Sequence, residues 1–168
     1  MNTNLSEAER SKYQNPEVIR ELLHFSNNIA VVGLSDKPQR ASNFVGSYLK
    51  QEGYTIIPVN PMKEEILGEK SYPDLKSVPV KVDIVDIFRK PQDCYDIVKE
   101  AIEIGAKAVW MQLTIANRDA AELAIENGLK VIMDRCIKME HGRYNGNLHW
   151  VGMNTEIITS KKAARFQY

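Results

Sequence analysis

A doubly wound α/β fold, with one five-stranded parallel sheet and helices on both of its faces, is predicted by three features of this 168-residue sequence. Five short, almost continuous apolar runs lie at 29–32, 55–59, 82–88, 108–113 and 129–133. Runs without clean alternation are expected of strands whose two faces are both covered. Helix-like stretches stand between most of them, which is the alternation of a parallel sheet. In QEGYTII at 51–57, EIGAKAV at 103–109 and ENGLKVI at 126–132, a glycine separates the helix-like stretch from the apolar run. A glycine there can take the left-handed conformation that ends a helix and releases the chain into a strand.

Ahead of the first strand, 16–25 reads as an amphipathic helix. Between the first and second strands, 42–52 sets Phe44, Val45, Tyr48 and Leu49 on one helical stripe. The stretch 60–81 carries three prolines and a charged Lys63-Glu64-Glu65, so it is expected to be a loop with at most a helical turn near 74–77. Pro91 suits the first turn of a helix bearing Tyr95, Ile97, Val98, Ala101 and Ile102, and Asn117 is placed to cap a helix over 118–127. Right-handed crossovers then give a Rossmann-like sheet in the strand order 3-2-1-4-5. Residues 16–141 hold this fold as a single domain. Residues 1–15 are read as a polar N-terminal extension and 142–168 as a C-terminal extension, with a short strand near 156–159 and a basic tail from Lys161 to Arg165.

Twenty-two basic side chains balance 22 acidic ones, so no global field attracts a polyanion or an anionic membrane, and no nucleic acid is expected as a partner. The first ten residues are polar, and no apolar run approaches the roughly 18 residues a membrane span needs, which predicts a cytoplasmic protein. Cys94 and Cys136 form no CxxC, which suits a reducing compartment and excludes a disulfide framework or zinc knuckle. His24, His141 and His149 lack metal-ligand spacing and are read as surface or loop residues, so no metal is expected. Ser35 lacks a G-x-S-x-G elbow, and Cys136 with His141 has no triad spacing. Asp83 and Asp86 fall on opposite faces of a strand and make no acid/base pair. Cys94 is read as half-buried packing. No catalytic residue is assigned.

Ligands of such sheets lie beyond the carboxyl ends of the strands, which narrows the functional question to the loops 33–42, 60–65, 88–91, 112–117 and 134–138. In the first, Gly33-Leu34-Ser35-Asp36-Lys37-Pro38-Gln39-Arg40-Ala41-Ser42, a nucleotide diphosphate would lie on the N-terminus of the following helix, where backbone N–H groups and the dipole favour an anion. Gly33 allows close approach, Ser35 and Ser42 offer hydroxyls, and Arg40 supplies a planar fork for phosphate oxygens. The alternative is a plain loop in which Ser42 only caps the helix. NAD is disfavoured, because one glycine stands where G-x-G-x-x-G has three and the second strand ends in Asn60-Pro61-Met62-Lys63 rather than an acid. Lys63 would attract a ribose phosphate that a carboxylate would repel.

The segments AVVGLSDKPQRAS, YTIIPVNP, EILGEKSYPDL, VDIVDIFRKP, GAKAVWMQLTIAN and GLKVIMDRCIKMEH, in that order across 16–141, resemble the small stand-alone CoA-binding proteins and are similar to the CoA-binding domain of the succinyl-CoA synthetase α subunit. The resemblance implies bound coenzyme A or acyl-CoA. Gly33, Leu34, Ser35, Lys37, Pro38, Arg40 and Ser42 would take the diphosphate. Asn60, Pro61 and Lys63 would lie by the adenosine and its 3′-phosphate, with Lys37 or Lys63 meeting that phosphate. Phe88, Arg89, Met111 and Gln112 would flank the pantetheine arm. Apart from the resemblance, Cys136 beside Arg135 at the end of the fifth strand has two readings: a thiol of lowered pKa near the CoA sulfur, able to form a mixed disulfide with it, or an inert buried hydrophobe. The chain has no room after Met139 for the phosphohistidine domain of the synthetase, so the expected role is a non-catalytic carrier, sensor or subunit. The rivals are an enzyme of acyl-CoA or dinucleotide chemistry and an interaction protein with a vestigial nucleotide site. A homodimer is plausible for such a family.

Overall fold

The computed structural model describes residues 4–144. Two helices, α1 (Glu7–Tyr13) and α2 (Pro16–Phe25), precede β1 (Asn28–Val32), α3 (Ala41–Gln51) and β2 (Thr55–Val59). A small antiparallel hairpin follows, β3 (Glu65–Ile66) with β4 (Glu69–Lys70), within the stretch expected to be a loop. The chain continues through β5 (Ile84–Ile87), a 3-10 turn at Pro91–Asp93, α4 (Cys94–Glu103), β6 (Ala108–Met111), α5 (Arg118–Glu126), β7 (Lys130–Ile132) and α6 (Ile137–Tyr144). Gly53, Gly105 and Gly128 all have positive φ, as the helix-to-strand punctuation predicts. Asn117 caps α5 by accepting from the Ala120 N–H at 2.9 Å, and Asp74 accepts from the Ser77 N–H at 2.8 Å to make the expected turn.

The fold class is as predicted, but the strand order is not. The parallel sheet runs β2-β1-β5-β6-β7, so the third predicted strand lies between the first and fourth instead of outside the second. The reason is visible in Pro58. Proline lacks the ladder N–H and belongs on an edge strand, and β2, which contains it, is the edge. Part of the outer side of β2 is taken by Tyr72, whose N–H donates to the Pro58 carbonyl at 2.9 Å. β5, buried along its whole length, needs neighbours on both sides. Asp83 sets its position by accepting from the N–H groups of Asn27 and Asn28 at 2.9 and 3.0 Å, at the start of β1.

Alternate strand residues feed two apolar layers. Ile29, Val31, Ile84, Trp110 and Ile132 pack against Ile19 and Leu22 of α2, Val45 and Leu49 of α3, and Ile137 of α6. Ala30, Val32, Val85, Val109 and Val131 pack against Val98 of α4, Ala120 and Ala124 of α5, and Tyr13 of α1. Residues 4–15 are therefore not a detached polar extension. Leu5 and Tyr13 are core residues, and α1 opens with a capping box in which Ser6 and Glu9 each bond the other's backbone. Helix α6, too polar to stand out by periodicity, buries His141 against Tyr48, with the hydroxyl 2.9 Å from Nδ1. That corrects its reading as a surface or loop residue. Cys94 is fully buried, not half-buried, and burial pushes its thiol up to about 11. The strand expected near 156–159, the basic tail and His149 lie outside the described residues. Among those residues no helix is long and apolar enough to cross a membrane.

Candidate functional site

The observed order puts the topological switch between β1 and β5, so the loop after Gly33 faces the turn at Phe88–Arg89. Gly33 has φ +85°, and a Cβ there would stand 2.7 Å from the Phe88 carbonyl oxygen and 2.8 Å from Arg89 Cδ. Close packing of two strand exits, as well as any ligand, therefore demands glycine.

The loop from Gly33 into α3 is pinned by its own polar groups. Ser42 Oγ accepts from the Ser35 N–H at 3.0 Å, Ser35 Oγ accepts from the Lys37 N–H at 3.2 Å, and Asn43 Nδ2 donates to the Ser35 carbonyl at 2.8 Å. Ser42 thus shapes the loop and does not cap the helix. Arg40 holds the N-cap position, and its side chain makes no capping hydrogen bond among the described residues. Lys37, Pro38 and Arg40 are exposed on the loop, and Arg40 makes no ion pair among the described residues. Leu34 is buried but offers its carbonyl, which accepts from Asn60 Nδ2 at 2.8 Å.

That bond ties the first loop to the second, and an ion pair repeats the tie: Lys63 Nζ lies 2.6 Å from Asp36 Oδ2. Lys63 holds the Asp36 carboxyl below its ordinary value. Beside them opens a cavity of about 700 Å³ walled by Asn60, Pro61, Lys63, Lys70 and Ser71, with Glu64 and Glu65 also on its lining. Asn60 Oδ1 accepts from the Met62 N–H at 2.9 Å, which sets the turn. Lys70, which sequence reasoning passed over, reaches this cavity only because the β3–β4 hairpin folds back beside β2.

The third group is more dispersed. Phe88 is half-buried, and Arg89 is exposed with Nε 3.6 Å from Asp93. Gln112 is buried and turned inward, its Nε2 donating to Asp86 Oδ1 at 2.7 Å. Asp86 is 0% exposed, its Oδ2 has no hydrogen-bond partner among the described residues, and burial pushes its pKa up to about 7. Met111 is fully buried in the layer facing α4 and α5, so it is packing and not a wall of the crevice. Cys136 is half-buried, and burial pushes its thiol up, which overturns the expected acidification; Arg135 turns instead toward Glu140, at 3.6 Å. Asp134 accepts from the Thr114 N–H at 2.7 Å. Among the described residues no cluster of three or more His, Cys, Asp or Glu side chains could hold a metal. Asn43 and Lys70 are polar residues of this edge that the sequence reading missed, and Asp36 and Asp86 are ones to which it gave no role at the site. Asn43, one helical position past Ser42, is the one a search for loop-bracing amides would have found.

Residues 27–142, which span all five parallel strands and both tied loops, match the family model described as a CoA binding domain. The chain belongs to this CoA-binding domain family. Relatives of the CoA-binding domain include the uncharacterized protein YneT of Bacillus subtilis, 42% identical over 76% of this chain and 96% of its own length. The α subunit of an ADP-forming acetate–CoA ligase from Pyrococcus furiosus is 27% identical over 73% of this chain, and the match spans only 29% of that subunit. Among solved structures, a PH1109 protein redesigned for binding is 43% identical with a TM-score of 0.77, covering 79% of this chain and 93% of that one. A hypothetical protein from Pyrococcus horikoshii is 41% identical with a TM-score of 0.76, covering 86% and 96%.

Proposed function

We propose that this CoA-binding domain binds coenzyme A, or an acyl-CoA, extended along the carboxyl edge of the sheet, and serves as a non-catalytic carrier, sensor or subunit in the cytoplasm. The observation that carries the reading is the double tie between the loops after β1 and β2, Leu34 to Asn60 and Asp36 to Lys63, with an exposed arginine on the first loop and a cavity of about 700 Å³ on the second. The diphosphate would lie against Gly33, Ser35, Lys37, Pro38 and Ser42 with Arg40 as its cation. Adenosine and its 3′-phosphate would occupy the cavity by Asn60, Pro61, Lys63 and Lys70. The pantetheine arm would run past Phe88 and Arg89 toward Gln112 and Cys136, where a two-electron oxidant that takes the hydrogens of both thiols would join the CoA sulfur to Cys136 as a mixed disulfide.

The ligase subunit named above matches this chain over only 29% of its own length, so its reaction is a guide to the ligand and not to the activity here. Calorimetry tests the reading: CoA should bind more tightly than dephospho-CoA, NADH weakly or not at all, and Arg40→Glu should weaken CoA by roughly tenfold or more, the scale of one lost charge-assisted contact. Mass spectrometry under native conditions of the protein as purified would reveal a retained acyl group. Equal binding of CoA and dephospho-CoA would overturn the placement of the 3′-phosphate.

A further inference from the structure

Asp86 is a carboxyl set in an apolar layer. It stands in register with Val31 of β1 on one side and Trp110 of β6 on the other, and both are fully buried in the layer that faces α2, α3 and α6. Strand alternation turns Asp86 to the same face as Ile84, and Gln112, the residue after β6, to the same face as Trp110. Among the described residues, the hydrogen bond that the carboxyl makes is the one it accepts from Gln112 Nε2 at 2.7 Å. A carboxyl buried on so few donors costs stability that a leucine there would not. Burial pushes its pKa up, and what opposes that rise is the Gln112 bond, not a charged neighbour. The Cys136 thiol, just ahead of α6 and packed against this layer, is the titratable group that feels the Asp86 charge.

Gln112 is the residue on which the carboxyl acts. An ionised carboxylate only accepts, so it fixes the amide with nitrogen inward and oxygen outward. The backbone is fixed as well, since the Gln112 carbonyl accepts from the Ile115 N–H at 2.9 Å. Gln112 Oε1 has no partner among the described residues, yet it is not one of their sealed polar atoms that lack one, so an acceptor is left open at the end of β6. This end lies on the carboxyl edge, on the face that also carries Phe88 and Cys136.

We propose that Asp86 is a positioning residue for the coenzyme: it holds the Gln112 amide so that Oε1 accepts from a secondary-amide N–H of the pantetheine arm. This rests on the coenzyme reading above and adds to it the group that recognises the arm. The experiment is calorimetry on the full chain with CoA and with adenosine 3′,5′-bisphosphate, which lacks the arm. Asp86→Leu, which suits the apolar layer, should cut the advantage of CoA over the bisphosphate by roughly three- to tenfold, the scale of one neutral hydrogen bond, and leave the bisphosphate unchanged. Gln112→Met should do the same and keeps the test open should the leucine variant not fold. Asp86→Asn retains an acceptor for Nε2 and should restore part of the advantage. In the parent the advantage should also shrink as pH falls through about 7, because a protonated Asp86 can donate to Oε1 and let the amide turn its nitrogen outward. Phosphate titration is common to both proteins, so the difference in pH course between the parent and Asp86→Asn reports Asp86.

An unchanged advantage in Asp86→Leu and Gln112→Met would overturn the proposal. Equal weakening of both ligands in these variants would do so too, because it marks a structural role alone. The same pH course in the parent and in Asp86→Asn would remove the carboxyl as the group that orients the amide. If the parent binds CoA no more tightly than the bisphosphate, the arm makes no such contact and this proposal falls while the phosphate placement stands. If the parent binds neither ligand, the coenzyme reading itself is overturned.

Discussion

Lys63 Nζ lies 2.6 Å from Asp36 Oδ2, and through this ion pair the cation expected for a ribose phosphate is already engaged by the neighbouring loop. Both side chains are partly exposed, so the pair is one that a stronger anion can draw apart. In the proposed mode of binding, a 3′-phosphate entering the cavity would compete with Asp36 for Lys63.

Asp36→Asn should therefore tighten CoA by severalfold and widen its advantage over dephospho-CoA, while Lys63→Glu should erase most of that advantage. Calorimetry of both ligands against both variants checks it. If Lys63→Glu keeps the full preference and Lys70→Glu loses it, the phosphate is held by Lys70 on the hairpin.

Gly33→Ala should destabilise the fold by about 3 kcal/mol, combining left-handed strain of about 1–2 kcal/mol with the overlap against Phe88. Gly53 has φ +98° with nothing within 4 Å of a built Cβ, so Gly53→Ala should lose only the strain, about 1 kcal/mol. Urea unfolding of the two variants separates close packing from backbone conformation. Equal losses would show that the Phe88 turn yields freely.

Asp86 makes stability depend on pH in an unusual direction. Its folded pKa is about 7, whereas an unfolded aspartate titrates near about 3.9. The unfolded chain therefore gives up the proton first. Its contribution is fully present at low pH, declines as pH rises from about 4 to about 7, and levels off above that, a span on the order of 4 kcal/mol. Asp86→Asn should be more stable than the parent at pH 8 and equal to it near pH 4. Urea midpoints across this range test it, and a parent-to-variant gap that does not change with pH would refute the buried carboxyl as its source.

The thiol of Cys136 is pushed up by burial, so free protein should react with a thiol reagent at neutral pH more slowly than a free cysteine does. CoA bound with its sulfur nearby should lower that rate further by shielding. A rate unaffected by saturating CoA would remove Cys136 from the path of the pantetheine arm, and with it the mixed disulfide.

Much of this edge was legible in the residues. The three helix-ending glycines, the Asn117 cap and the apolar runs are local signals, each decided within a few positions of chain. Gly33, Arg40 and Lys63 fall on the carboxyl edge for the same reason, since strand ends and helix starts place them there. Ser42 was legible as a polar loop residue but not in its role, because its partner is the Ser35 N–H across the loop and not a group of the helix it begins. The strand order was misread although Pro58 carried the clue, a missing ladder donor that fits only an edge. Met111 and Gln112 were placed by their nearness to a strand end, yet the strand's alternation turns one into the core and the other toward Asp86.

By itself the sequence determined the layers, the number of parallel strands and the edge on which a ligand would lie, because periodicity, proline and glycine act through the backbone within one or two turns. Tertiary structure alone decided which strands are neighbours, that Asp36 engages Lys63, and that Asp86 is sealed from water with Gln112 as its donor. These depend on contacts between residues far apart in the chain, where burial and partner geometry, not local preference, set the energy of each group.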